Sequence, residues 1–195
     1  VPFLRALAGG ALAWGLITLW TLIPKVHSGA GGAFGVDDAD KNVLLVLDVS
    51  PSMRLEDAGP TKHQSRMHRA RDVLDSFLRR VPLEQYRFTV VAVYNGAKPV
   101  VKRTRDVEVV RNILGDLPLH FAFEAGKTKL FDGLQAAAEM AKAWEPNSTT
   151  LILVSDGDTV PAQGMPKMPP SIESVLVVGV GDPRAGSFID GAQSR

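Results

Sequence analysis

The chain has 195 residues, with 22 Lys and Arg against 21 Asp and Glu, a formal charge of +1, and no cysteine. The balanced charge argues against a nucleic-acid binder, and the missing thiols exclude thiol catalysis and thiolate-bound zinc. The length accommodates one domain and an appendage.

Ala6 to Ile23 carries no charged residue and includes Leu12, Trp14, Leu16, Ile17, Leu19 and Trp20, flanked by Arg5 and Pro24-Lys25. That meets the roughly 18 apolar residues a membrane span needs, and tryptophan is enriched near bilayer interfaces. Residues 1–24 are therefore expected to form one N-terminal transmembrane helix. A cleaved signal peptide is the alternative, with Ser28-Gly29-Ala30 as its small-residue cleavage site. Arg5 against Lys25 leaves the orientation open. Residues 25–40, rich in Gly and Ala from Ser28 to Gly35, read as a flexible linker. Residues 41–195 remain as the folded domain.

Asn42 to Leu47 is a short apolar run of the kind that makes a buried parallel strand. Such a strand delivers its next residues to the carboxyl edge of the sheet, where open α/β folds place their sites. There the chain presents Asp48-Val49-Ser50-Pro51-Ser52, a carboxylate and two hydroxyls at alternate positions in a loop that Pro51 tightens. These are hard oxygen groups, suited to Mg²⁺, Mn²⁺ or Ca²⁺ rather than to zinc or copper. Met67, Ala70, Leu74, Phe77 and Val81 then recur at helical steps. That stripe puts Arg66, His68, Arg69 and Arg71 largely on the solvated side. A strand from Tyr86 to Tyr94 follows, with Asn95-Gly96 as a two-residue hairpin turn and Lys98 to Thr104 as the return strand.

A helix from Asp106 turns Val107, Val110, Leu114 and Leu117 inward. Gly126-Lys127-Thr128-Lys129-Leu130 opens another, with Thr128 at its start and Leu130, Leu134, Ala137, Ala141 and Trp144 in helical spacing. A strand from Thr149 contains the apolar run Leu151 to Val154 and ends in Ser155-Asp156-Gly157-Asp158. This offers a second carboxylate at the edge of a neighbouring strand. Asp158 to Pro170, with four prolines and no periodicity, reads as an irregular loop on the same face. Ser174 to Gly179 is a further buried strand. The alternation of strand and helix is that of an α/β domain.

Asp48, Ser50 and Ser52, then Thr128, then Asp156 followed by Gly157 resemble the metal-ion-dependent adhesion site of a von Willebrand factor A (vWA) domain. They match in order and in structural context, and the resemblance covers roughly Lys41 to Asp182. It implies a Rossmann-like vWA fold, a mostly parallel central sheet with one antiparallel edge strand and helices on both faces. It further implies a divalent cation, Mg²⁺ or else Mn²⁺ or Ca²⁺, held by Ser50, Ser52 and Thr128, with Asp48 and Asp156 often acting through water. A metal with few anionic ligands and an open position seeks an outside carboxylate. The implied function is a protein-interaction module without catalysis, whose partner supplies an Asp or Glu.

The anchor, the linker and Leu47 to Met53 also resemble the Bat (aerotolerance-type) membrane proteins of bacteria. That implies an extracytoplasmic domain associated with a MoxR-type AAA+ ATPase in envelope assembly or stress tolerance. A complete domain of the family continues into a last helix beyond its final strand. The chain, which starts at Val1 and ends in Gly186 to Arg195, is accordingly expected to be truncated at its C-terminus.

Blander roles exist for each residue. Asp48 could cap a helix, Thr128 could be an ordinary N-cap, and Asp156-Gly157 could be a turn. Their convergence at three element ends favours the metal site. Ala125-Gly126-Lys127-Thr128 resembles the tail of a P-loop, but Phe121 stands where its first glycine belongs. Gly179-Val180-Gly181 lacks the third glycine of a dinucleotide fingerprint, since Arg184 occupies that position. A haloacid-dehalogenase-like phosphatase needs a second Asp where Ser50 stands. A Mg²⁺-dependent hydrolase using Asp48 or Asp158 is the remaining alternative, and no motif positions a base or nucleophile for it. His63 and His68 are five apart with no accompanying Glu, and His27 and His120 have no neighbours of catalytic type, so all four histidines are expected to be exposed. Asn147-Ser148-Thr149 is a glycosylation pattern of little weight here.

Overall fold

Alternation along the first strand dictates the architecture. In β1 (Lys41–Asp48) the residues Val43, Leu45 and Leu47 enter one core, and Leu44 and Val46 enter another. A strand buried on both faces needs a layer on each side. The computed structural model describes residues 41–115, 118–157 and 164–181, and supplies both layers. Helices α1 (Arg66–Leu78) and α2 (Val107–Gly115) cover the first face through Ala70, Leu74, Val110 and Leu114. Helix α3 (Leu130–Ala141) covers the second through Leu130, Leu134, Ala137 and Ala141.

Strands β2 (Tyr86–Tyr94), β3 (Gly96–Thr104), β4 (Thr149–Ser155) and β5 (Ile172–Gly179) complete one sheet in the order β3-β2-β1-β4-β5. All neighbours are parallel except β2 and β3. The expected mixed α/β sheet is therefore present. The chain leaves β1 towards β2 on one side and returns to β4 on the other. β1 and β4 consequently flank the point where strand order reverses, the place open α/β sheets keep for ligands.

Three local expectations need correction. The Asn95-Gly96 turn is tighter than a two-residue hairpin, because Tyr94 pairs directly with Gly96, whose φ is 128°. Arg66 does not lie on the solvated side of α1; it is buried. Ser174 to Gly179 lies in β5, which pairs with β4 at the edge of the described sheet, and Val177 is 67% exposed. An apolar run alone does not distinguish a central strand from such an edge. The expected anchor (1–24) and linker (25–40), Leu117, Asp158 and the C-terminal stretch from Gly186 lie outside the described residues. Among the described residues no helix is long and apolar enough to cross a membrane.

One close approach fixes α3. A Cβ on Gly133 would fall 2.2 Å from Val93 Cγ2 and 3.1 Å from Val93 Cβ. Only glycine lets the helix lie this near β2.

Candidate metal site

Asp48 is the last residue of β1, and it is buried. Its register partner on β2 is Val93, whose carbonyl accepts the Val49 N–H at 2.9 Å and carries the chain off the sheet edge. The loop then folds back at once. Ser50 N–H donates to Asp48 Oδ1 at 2.9 Å, and Pro51 opens a short 3-10 turn through Arg54. This brings Ser50 Oγ and Ser52 Oγ to 2.9 Å from each other, both buried. Adjacent ligands on an octahedral ion with Mg–O bonds near 2.1 Å are separated by about 2.9–3.0 Å. The hydroxyl pair fits two such positions.

The neighbouring strand contributes from the other side. Ser155, the last residue of β4, donates its hydroxyl to Asp48 Oδ2 at 2.8 Å, and Gly157 N–H donates to Ser155 Oγ at 3.1 Å. Gly157 takes φ of 77°, a left-handed conformation that suits glycine and turns the chain after Asp156. The Asp156 side chain is fully buried. Burial raises the Asp48 pKa above the ordinary carboxylate range; the Asp156 charge raises it further, while the Ser50 hydroxyl and amide and the Ser155 hydroxyl oppose the rise. The Asp156 charge thus disfavours ionisation of the buried Asp48, which is chemistry that a bound cation relieves.

Thr128 comes from the far side of β2. The Lys129 N–H donates to the Tyr94 carbonyl at 2.7 Å, tying this loop to the edge beside Asp48. Thr128 is buried, and the N-cap position of α3 is Lys129, without a side-chain cap bond. The helix starts two residues later than the spacing suggests, so Thr128 is not its N-cap. Asp48 is not a helix cap either: Ser50 holds that position of the 3-10 turn. Asp48 therefore ends β1, Asp156 directly follows β4, and Ser50, Ser52 and Thr128 lie in the loops that leave or meet the same sheet edge. Three of them, Asp48, Ser50 and Ser52, form one hydrogen-bonded group.

Two participants were not expected from the sequence. Arg66 Nη1 donates to Asp156 Oδ2 at 2.8 Å, while Nε and Nη2 grip the two oxygens of Asp57 at 2.8 and 2.6 Å. The available signal was position. Arg66 is the first residue of α1, directly after the N-cap Ser65, where the helix dipole disfavours a cation. A cation placed against the dipole needs a partner elsewhere. Asp57 immediately precedes a small hairpin closed by paired backbone bonds between Ala58 and Gln64, and gave no signal in sequence. Among the described residues there is no cluster of three His, Cys, Asp or Glu able to hold a metal. A cation here depends on hydroxyl ligands. Of the histidines, His63 and His68 are exposed, but His120 is half-buried, with its pKa lowered by burial and then by Arg54.

An open α/β sheet with an oxygen cluster at its switch point defines the class of this protein. Residues 43–158, more than half of the chain, match the family described as von Willebrand factor type A domain, and the chain belongs to that family. The fold is similar to that of BatB from Bacteroides thetaiotaomicron, with a TM-score of 0.51 and 18% identity, covering 60% of this chain and 54% of that one. It is also similar to an aerotolerance-related membrane protein from Bacteroides fragilis NCTC 9343, with a TM-score of 0.52 and 20% identity, covering 77% of this chain and 73% of that one. At such identities the likeness is one of fold. The chain spans about half the length of the BatB structure. A search of curated proteins finds no match.

Proposed function

We propose that this vWA domain is a metal-dependent protein-interaction module. Ser50, Ser52 and Thr128 supply neutral oxygens to Mg²⁺ or Mn²⁺ (Ca²⁺ in the wider case), with Asp48 and Asp156 holding the surrounding shell. The observation that carries this reading is the 2.9 Å hydroxyl pair of Ser50 and Ser52 folded over Asp48, beside the buried carboxylate of Asp156. A bound cation would supply a Lewis-acidic position, and an Asp or Glu from the partner would complete it. Asp48 is an unpromising catalytic group, because both its oxygens accept hydrogen bonds, from Ser50 N–H and from the Ser155 hydroxyl.

The setting we infer is a membrane. Residues 1–24 anchor the chain and 25–40 link it to the domain on the extracytoplasmic side. The fold similarity to BatB and to an aerotolerance-related membrane protein supports a Bat-like role, in envelope assembly or stress tolerance with a MoxR-type ATPase. Calorimetric titration of Mg²⁺ into the full chain tests the site: saturable binding is expected, lost in Asp48→Ala. Equal affinity in both would refute the assignment. The open position is tested by water-proton relaxation of the Mn²⁺-loaded protein. Acetate should reduce it by displacing coordinated water, and no response would argue against an outside carboxylate.

A further inference from the structure

A helix N-terminus attracts anions, yet Arg66 opens α1 and is buried. Its guanidinium divides its donors. The edge carrying Nε and Nη2 is taken by both oxygens of Asp57, a bidentate pairing that sets the plane of the group. The remaining Nη1 reaches Asp156 Oδ2. The Asp57 side chain is 25% exposed and the Asp156 side chain fully buried, so the row Asp57, Arg66, Asp156 runs from solvent into the site. Arg66 N–H also donates to the Leu55 carbonyl at 3.0 Å, which pins the start of α1 to the loop following Ser52. The pKa of Arg66 is raised, chiefly by Asp57, against burial, with Asp156 adding to the rise. The guanidinium is a permanent charge.

We propose that Arg66, clamped from behind by Asp57, is a positioning residue for the site: a built-in counter-ion that fixes the Asp156 carboxylate through Oδ2 and holds down the affinity for a divalent cation. The inference rests on the metal-site reading above. By neutralising part of Asp156, Arg66 leaves a bound cation less satisfied by the protein and more receptive to an outside anion. It also lets the two buried carboxylates, Asp48 and Asp156, coexist in the folded domain before metal binds. The row of alternating charges has a signature that packing alone does not give. Removing the middle charge favours the cation, whereas removing the outer one opposes it.

The experiment is Mg²⁺ calorimetry on the full chain, with thermal unfolding in chelator and in Mg²⁺ as the second readout. Arg66→Gln keeps an amide donor and loses the charge. It should lower the melting temperature in chelator, bind Mg²⁺ about tenfold tighter, and gain more from Mg²⁺ than the wild type does. Asp57→Asn, which leaves the Arg66 charge unbalanced, should bind Mg²⁺ about tenfold more weakly. Arg66→Lys keeps the charge but loses the bidentate grip on Asp57, so it should hold Mg²⁺ affinity near that of wild type while lowering the melting temperature in chelator. Unchanged or weaker Mg²⁺ binding in Arg66→Gln would overturn the proposal. Should that variant fail to fold, Asp57→Asn decides alone, and unchanged or tighter binding there overturns it. A wild-type chain with no saturable Mg²⁺ binding would instead refute the metal-site reading, and this inference with it.

Discussion

Gly133→Ala tests whether α3 is seated as closely on β2 as the site requires. The added Cβ would lie 2.2 Å from Val93 Cγ2, 3.0 Å from Cγ1 and 3.1 Å from Cβ. Turning Val93 about χ1 moves the methyls but not its Cβ, so the helix itself must shift. Overpacking of this kind costs about 1–3 kcal/mol, and an overlap this deep belongs at the upper end. Alanine returns about 1 kcal/mol of helix propensity, leaving a net loss of about 2 kcal/mol. For a domain of this size that lowers Tm by about 4–8 °C. Thr128 lies two residues before α3, so Mg²⁺ affinity should weaken as well. Differential scanning calorimetry with Gly179→Ala as control, where nothing lies within 4 Å of the new methyl, isolates the effect. Adding Val93→Ala should recover part of the loss, a non-additive result. A Gly133→Ala protein as stable as wild type, or strict additivity in the double variant, would refute the close seating.

Two other outcomes follow from the site and the N-terminal segment. Burial first, and Asp156 second, raise the Asp48 pKa, so the folded state favours its proton. In chelator, the stability that Asp48 contributes should be fullest at acidic pH and be lost as pH rises through the raised value. Urea unfolding of wild type minus Asp48→Asn should therefore show a difference that falls with pH; a difference that rises would contradict it. Carbonate extraction of the expressed chain should leave it in the membrane pellet. Recovery as a soluble protein beginning near Gly31 would show a cleaved signal instead.

The fold was legible where burial is two-sided. Asn42 to Leu47 and Leu151 to Val154 are continuous apolar runs because helices cover both faces of β1 and β4, and the sequence bears that directly. The stripe Ala70, Leu74 and Phe77 marked α1 for the same reason. Asp48, Ser50, Ser52, Thr128 and Asp156 could be picked out because each stands at the end of a periodic segment. The edge position of β5 was not legible, since an exposed Val177 has the same letter as a buried one. Arg66 was hidden by its neighbours. His68, Arg69 and Arg71 made a basic cluster that reads as solvated, and one member of it turns inward because Asp57 and Asp156 meet it there. Such pairing depends on tertiary contacts 9 and 90 residues apart, beyond the reach of local spacing.

A cation on the hydroxyls of one sheet edge should be visible in a crystal of the domain grown in Mn²⁺. A single strong anomalous peak is expected at about 2.1–2.4 Å from both Ser50 Oγ and Ser52 Oγ. Asp48 and Asp156 should bound the same ion directly or through water, and the Arg66 guanidinium should remain on Asp156 Oδ2. A Mn²⁺ peak elsewhere on the domain, with none within bonding distance of the Ser50 and Ser52 hydroxyls, would contradict it.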